Sequence, residues 1–301
     1  MANRWWVYQR ERFPVLVHGP LIAALSFGAV SVSSVLRGQA RFPEAGSFLV
    51  AFASTLLFFL QLRIADEFRD RDTDARYRAY RPVPRGLVSL RELGGVAALG
   101  AFLQLGLALW LRPSLALLLA LVWLYLGLMW KEFFAREHLT THPITYLWTH
   151  MLILPLITLY AAACEWPTAS ASLPSGLAWL LVASFFSGLV IEIGRKIRAP
   201  EDEEPGVDTY SRLWGRRTAT LAWWGAMCLA AVSSLLVARR IGMAAALSGP
   251  FGLGLAAAGI AVWRFLDRPT PERARLFEPI SGLWTLFVYL GLGTSPWLLS
   301  P

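Results

Sequence analysis

Nine long apolar runs succeed one another along this 301-residue chain and restrict its fold more than any other feature. They cover Val15–Leu36, Ser47–Leu62, Leu93–Leu111, Ser114–Trp130, Ile144–Ala163, Gly176–Ile193, Thr218–Val237, Ile241–Trp263 and Ile280–Leu299. A helix needs about 20 apolar residues to cross a bilayer. Backbone in lipid must satisfy its own hydrogen bonds, so runs of this kind form a helical bundle. The second and sixth runs are short because each enters a charged segment, and their helices are expected to continue past the apolar part. The split between the third and fourth rests on Arg112-Pro113 as a tight turn. Only 16% of residues are charged and 56% are hydrophobic. Soluble domains run near a quarter charged, and disorder needs low hydrophobicity, so both classes are excluded. The expected fold is all-α, a polytopic bundle of nine transmembrane helices.

The net charge of +8 would by itself suggest a polyanionic partner. Its distribution says otherwise. With the N-terminus cytoplasmic, 23 of the 28 basic residues fall on the cytoplasmic side, and only Arg37, Arg41, Arg112, Arg239 and Arg240 fall opposite. That is the positive-inside pattern, and it supports both the orientation and the number of spans. No nucleic-acid partner is expected. Trp5, Trp6 and Tyr8, set among Arg4, Arg10 and Arg12, suit an interfacial segment over residues 1–14. Cys164 and Cys228 stand in apolar surroundings without metal-ligand spacing and read as buried small side chains. His138 and His142 lack the acid that would complete a zinc motif. His18 and His150 lie in apolar spans and read as packed, hydrogen-bonded side chains.

Two long charged segments follow the second and sixth runs. The first contains Asp66, Asp70 and Asp74, spaced by four. On a helix each such step drifts about 40°, so the three carboxylates share a face, with Glu67 and Asp72 beside it. Clustered acids at a membrane edge need positive charge to offset them. Magnesium takes oxygen ligands, commonly one or two carboxylates together with substrate phosphates. Arg76, Arg78, Arg81 and Arg85 follow, and guanidinium groups hold phosphate oxygens in pairs. Acids for a metal and arginines for phosphate are what a diphosphate site needs; the alternative is a solvated charged loop whose acids and arginines pair with one another.

This segment resembles the first aspartate-rich motif of the UbiA superfamily of intramembrane prenyltransferases, N-D-x-x-D-x-x-x-D followed by Arg-Pro-x-Pro-x-Gly. Here it reads Asp66-Glu67-x-x-Asp70-x-x-x-Asp74, then Arg81-Pro82-Val83-Pro84-Arg85-Gly86. Asp-Glu replaces the opening Asn-Asp, which keeps oxygen ligands. The family fold has nine transmembrane helices, so the resemblance extends over essentially the whole chain, 1–301, as a single domain with cytoplasmic caps at 63–92 and 192–217. The second segment ends Gly206-Val207-Asp208-Thr209-Tyr210-Ser211 and then Gly215-Arg216-Arg217, similar to the stretch after the family's second aspartate motif. The motif itself departs. Glu192 is present, but Lys196 and Pro200 stand where further acids are usual, with Arg195 and Arg198 alongside. Either these cations grip phosphate in place of a metal, or the segment is an ion-paired cap. Residues 125–136 resemble the family's Tyr and Lys at the end of its fourth helix, which would either bring Lys131 to the diphosphate or leave it as a positive-inside anchor.

The resemblance implies magnesium-dependent transfer of a prenyl group from a prenyl diphosphate to an aromatic or lipidic acceptor. Asp66, Glu67, Asp70 and Asp74 would hold Mg2+. Arg76, Arg81, Lys131, Arg195, Lys196 and Arg198 would take diphosphate oxygens, and Glu192 would position or deprotonate the acceptor. A terpene cyclase of the same type would ionise the diphosphate without an acceptor. A noncatalytic lipid-binding or transport protein on the same scaffold is the alternative of different class. The expected location is a membrane in contact with its lipids, the bacterial inner membrane, with the catalytic face cytoplasmic.

Overall fold

A computed structural model describes residues 3–39, 42–166, 173–204 and 206–299. Arg41, counted above on the side opposite the caps, lies outside them. The helices are α1 (Arg4–Arg12), α2 (Val15–Leu36), α3 (Ala45–Arg69), α4 (Arg71–Tyr77), α5 (Leu90–Leu111), α6 (Leu115–Trp130), α7 (Arg136–Thr141), α8 (Pro143–Met151), α9 (Ile153–Ala163) and α10 (Leu177–Gly194). They continue with α11 (Tyr210–Leu213), α12 (Arg216–Arg240), α13 (Ala244–Asp267), α14 (Pro271–Ala274) and α15 (Phe277–Leu298).

Among the described residues, eight segments are long and apolar enough to cross a membrane: α2, α3, α5, α8 with α9, α10, α12, α13, and α14 with α15. The ninth expected span is α6, which is apolar but only 16 residues long. At 1.5 Å per residue it measures about 24 Å, short of the roughly 30 Å hydrocarbon core. Its ends are set by chain chemistry. Arg112 is extended ahead of Pro113, as a residue preceding proline prefers. Lys131 closes the other end. The break between α8 and α9 has a similar cause, since Pro155 has no N–H to give the Met151 carbonyl. α3 runs through the charged residues to Arg69 and α10 reaches Gly194, so both outlast their apolar runs as expected.

Large apolar side chains such as Phe102, Leu117 and Leu253 are exposed on the outside of the bundle, as suits a lipid-facing surface. The interior is fastened by polar contacts. Gln61 Nε2 donates to Gln104 Oε1 at 3.0 Å, the Trp123 indole donates to the same oxygen at 3.0 Å, and Gln104 Nε2 donates to the Ser54 carbonyl at 2.9 Å. These bonds hold α3, α5 and α6 in fixed register. α10 packs closely on α12 and α15. A Cβ on Gly194 would stand 2.1 Å from Ser281 Oγ and 2.9 Å from Trp223 Nε1, two atoms already hydrogen-bonded to each other at 2.8 Å. Gly194→Ala is therefore expected to destabilise the protein by about 1–3 kcal/mol through overpacking. Thermal unfolding in detergent checks this, with Gly225→Ala as a control because nothing stands within 4 Å of that Cβ.

Candidate active site

The charged segments meet at one end of the bundle. The first is built on the end of α3. Asp70 N–H donates to the Asp66 carbonyl at 2.9 Å, Asp74 N–H to Asp70 at 2.8 Å, and Arg78 N–H to Asp74 at 2.9 Å. The helical repeat thus passes through the α3–α4 junction, and the four-residue spacing keeps its meaning.

The carboxylates nevertheless divide. Asp66 lies 2.7 Å from Arg69 Nη2, and Asp70 accepts from Arg69 Nε at 3.1 Å, so one guanidinium joins the two. Both remain partly accessible. Asp74 is buried and takes Arg81 Nη1 on both oxygens, at 2.6 and 2.8 Å, with Arg78 at 3.3 Å. Glu67 points elsewhere. Its side chain is 1% exposed and ion-paired to Arg12 of α1. Among the described residues no group of three or more His, Cys, Asp or Glu side chains is placed to share a metal ion. The four acids expected together from sequence thus divide among separate cationic partners. A helix turns Glu67 about 100° from Asp66, into the packing against α1, and Asp74 is drawn to Arg81. Arg76 is exposed and stacks over Tyr77.

The second segment faces the first. Glu192 is buried at the end of α10, with Arg195 Nε 2.6 Å and Lys196 Nζ 3.0 Å from its carboxylate. The neighbouring Glu192 charge raises the Arg195 pKa further above the usual arginine range, so that guanidinium is a permanent cation. Lys196 also lies over the Tyr210 ring, 5.3 Å from its centroid, and accepts the Tyr210 N–H on its carbonyl at 3.1 Å. Burial pushes the Tyr210 phenol well above its usual range, with the Glu192 charge adding to the effect, so it stays neutral. Arg198 N–H donates to Ser211 Oγ at 2.6 Å. Thr209 caps α11 and donates to Glu203 at 2.6 Å.

The two caps touch. Gly206, at φ +74, leaves room for Tyr77, whose ring would be 2.8 Å from any Cβ there. Between the caps lies a cavity of about 200 Å³, lined by Arg78, Arg81 and Arg198 together with Tyr80, Thr209, Asp202 and Glu204. Arg81 and Arg198, expected as phosphate ligands from sequence, are thus brought to one space. Lys131 is not. It is exposed and stacks on Trp130 at 4.5 Å, at the end of α6.

Sequence reasoning overlooked the wall formed by α8. The Tyr146 ring lies 5.9 Å from the Arg69 guanidinium and stacks on His150 at 3.9 Å. Their four-residue spacing on one helix face was the available signal. Beside them, Glu132, Phe133 and Phe134 have φ of +48, +53 and +57. Three consecutive left-handed residues without a glycine cost about 1–2 kcal/mol each. The turn puts Phe133 edge-on to Tyr125 at 5.5 Å and to His150 at 5.9 Å.

The structure is thus that of a membrane protein, an apolar bundle capped at one end by carboxylates and arginines. Residues 22–295 match the UbiA prenyltransferase family, and the chain belongs to that family. It is an intramembrane prenyltransferase-family enzyme and an integral membrane protein. The same fold occurs in an apo UbiA homologue from Aeropyrum pernix K1, at 19% identity and TM-score 0.66, covering 91% of this chain and 95% of that one. It also occurs in a digeranylgeranylglyceryl phosphate synthase structure, at 16% identity and TM-score 0.62, covering 97% and 98%. A UbiA homologue from Archaeoglobus fulgidus, solved bound to DMAPP and Mg2+, is similar at 16% identity and TM-score 0.56, covering 95% and 98%. No curated protein matches the chain in sequence.

Proposed function

We propose that this chain transfers a prenyl group from a prenyl diphosphate to an aromatic or lipidic acceptor, with the charged end of the bundle on the cytoplasmic side. The reading rests on one observation: both cap segments converge there, with Tyr77 against Gly206 and with Arg78 and Arg81 of the first lining one cavity with Arg198 of the second. The orientation is supported by the excess of basic residues on the cap side.

Asp66 and Asp70 fit magnesium arriving with a diphosphate, because two partly accessible carboxylates are what such an ion commonly takes from protein. Glu67 and Asp74 do not fit, being buried and saturated by arginine. Magnesium, when bound, neutralises charge developing on the leaving diphosphate. The chain supplies the rest. Arg81 and Arg198 take diphosphate oxygens from the cavity between the caps. Arg195 and Lys196 add two fixed cations from the second segment, where the family pattern would place further acids. Glu192, held by both, acts by aiming them. Arg76 and Lys131, each on its own aromatic ring, contribute positive field at the rim. The apolar bundle holds the isoprenoid tail and keeps water from the allylic cation.

The test is incubation of the purified protein with Mg2+ and a series of prenyl diphosphates, following diphosphate release and the lipid product. Product analysis with and without an added aromatic separates transfer from cyclisation. Within that assay, Lys196→Met and Glu192→Gln are each expected to slow release about tenfold and to weaken inorganic diphosphate binding. Wild-type turnover in both variants would remove the second segment from the mechanism.

A further inference from the structure

The buried acid of the second segment is closed to a metal ion. Both oxygens of Glu192 are already taken by cations from its own helix end. Arg195 Nε donates to Oε2 at 2.6 Å, and Lys196 Nζ lies 3.0 Å from Oε1. Glu192 is only 7% exposed. A divalent ion entering there would have to strip two cations from a buried carboxylate and leave them without a counter-charge. Two of the acids that follow are engaged as well. Glu203 accepts the Thr209 hydroxyl at 2.6 Å, and Asp202 faces Arg275 at 3.6 Å.

Charge balance points the same way. Asp66 meets Arg63 at 3.6 Å and Arg69 at 2.7 Å, and Asp70 meets Arg69 at 3.1 Å. Two carboxylates are thus matched by two guanidinium groups. Glu192 is outnumbered by Arg195 and Lys196. Arg195 lies within electrostatic reach of Asp66, so the two sets act on one space. These seven side chains carry a net charge of +1. The neighbouring cavity does not alter this, because Arg78, Arg81 and Arg198 there are offset by Asp74, Asp202 and Glu204. One magnesium ion raises the set to about +3, which offsets the roughly three negative charges of an ionised organic diphosphate. A second would leave it overcharged in a site with little water to screen it.

Building on the prenyl-transfer reading, we propose that this chain takes its diphosphate with a single divalent ion, at Asp66 and Asp70, and that Arg195 and Lys196 supply the charge of a second. Glu192 fixes both cations in place. Lys196 decides the count, because its ammonium covers the one Glu192 oxygen that Arg195 leaves open.

The experiment is equilibrium dialysis of the full chain in lipid nanodiscs against Mn2+, standing in for magnesium, and radiolabelled geranyl thiolodiphosphate, whose sulfur slows ionisation and keeps the head group intact. Empty discs are subtracted, and retained metal is measured against retained ligand. Wild type is expected to hold one Mn2+ per bound ligand. Lys196→Arg keeps the charge and should keep that ratio. Lys196→Asp removes the ammonium and sets a carboxylate four residues after Glu192, so its ratio should double. A wild-type ratio other than one overturns the proposal, and it decides even where a variant fails to fold. An unchanged ratio in Lys196→Asp overturns the role of Lys196. Wild-type discs that retain no ligand at any Mn2+ concentration remove the diphosphate reading itself, whereas bound ligand with two ions overturns only the single-ion site.

Discussion

Arg12→Ala is expected to destabilise the protein by about 3–5 kcal/mol, among the largest effects available outside the apolar core. Arg12 and Glu67 are 55 positions apart, yet their side chains are only 10% and 1% exposed and form an ion pair between α1 and α3. Removing the guanidinium leaves a carboxylate buried without its counter-charge, beside the apolar cluster of Tyr8, Ile64, Val88 and Leu93. Glu67→Ala should cost a similar amount from the other side. The double variant Arg12→Met/Glu67→Met should regain most of the loss, because two apolar side chains of similar length remove both desolvation costs together. Chemical denaturation of wild type, Arg12→Met, Glu67→Met and the double variant in one detergent measures the coupling. A double variant that loses about the sum of the two single losses would mean the pair does not act as a unit. The same set decides the role of Glu67. If the refolded double variant retains magnesium-dependent diphosphate release, Glu67 is an anchor for the N-terminal helix. If it has lost release while regaining stability, Glu67 belongs with the metal.

That pair also marks the limit of what the sequence discloses. The Asp66, Asp70, Asp74 repeat was legible because it is local: backbone hydrogen bonds pass from α3 through Asp70 into α4 without losing the helical period. Arg112-Pro113 was legible for the same reason, since proline constrains its own neighbour. Which cation each acid meets was not. Asp74 finds Arg81 seven positions on, Asp66 finds Arg69 three on, and Glu67 finds an arginine in a helix that the apolar pattern does not cover. Charge counting says that the carboxylates must be offset, and only the packing of α1 against α3 says by what. The length of α6 had a comparable cause. Its apolar run looked long enough, but Ser114 lies outside the helix and Lys131 ends it, leaving 16 helical residues. His150 read as a packed core histidine, and its burial agrees. That its Nε2 has no hydrogen-bond partner among the described residues emerges only once the structure is known.

The division of the carboxylates leads to the second large effect. Asp66→Asn and Asp70→Asn are each expected to reduce magnesium-dependent diphosphate release by at least about 100-fold, the scale on which lost electrostatic stabilisation of a leaving group shows. Both substitutions keep side-chain size and remove only charge from the pair joined by Arg69. Because they remove ligand charge, the Mg2+ concentration needed for half-maximal release should rise in both. Asp74→Asn should behave differently. Its carboxylate holds Arg81 and Arg78 in a buried position, so the loss leaves two guanidinium groups without their shared counter-charge. The expected result is lower thermal stability and weaker binding of inorganic diphosphate, with the Mg2+ midpoint unchanged. Release measured across a magnesium titration, together with unfolding curves for the three variants, separates the two classes. If Asp74→Asn shifted the midpoint as far as the other two, the three aspartates would act on one ion and the arginine contacts of Asp74 would have to yield when substrate binds. If none of the three altered release, the carboxylates of the first segment would serve only to neutralise its arginines.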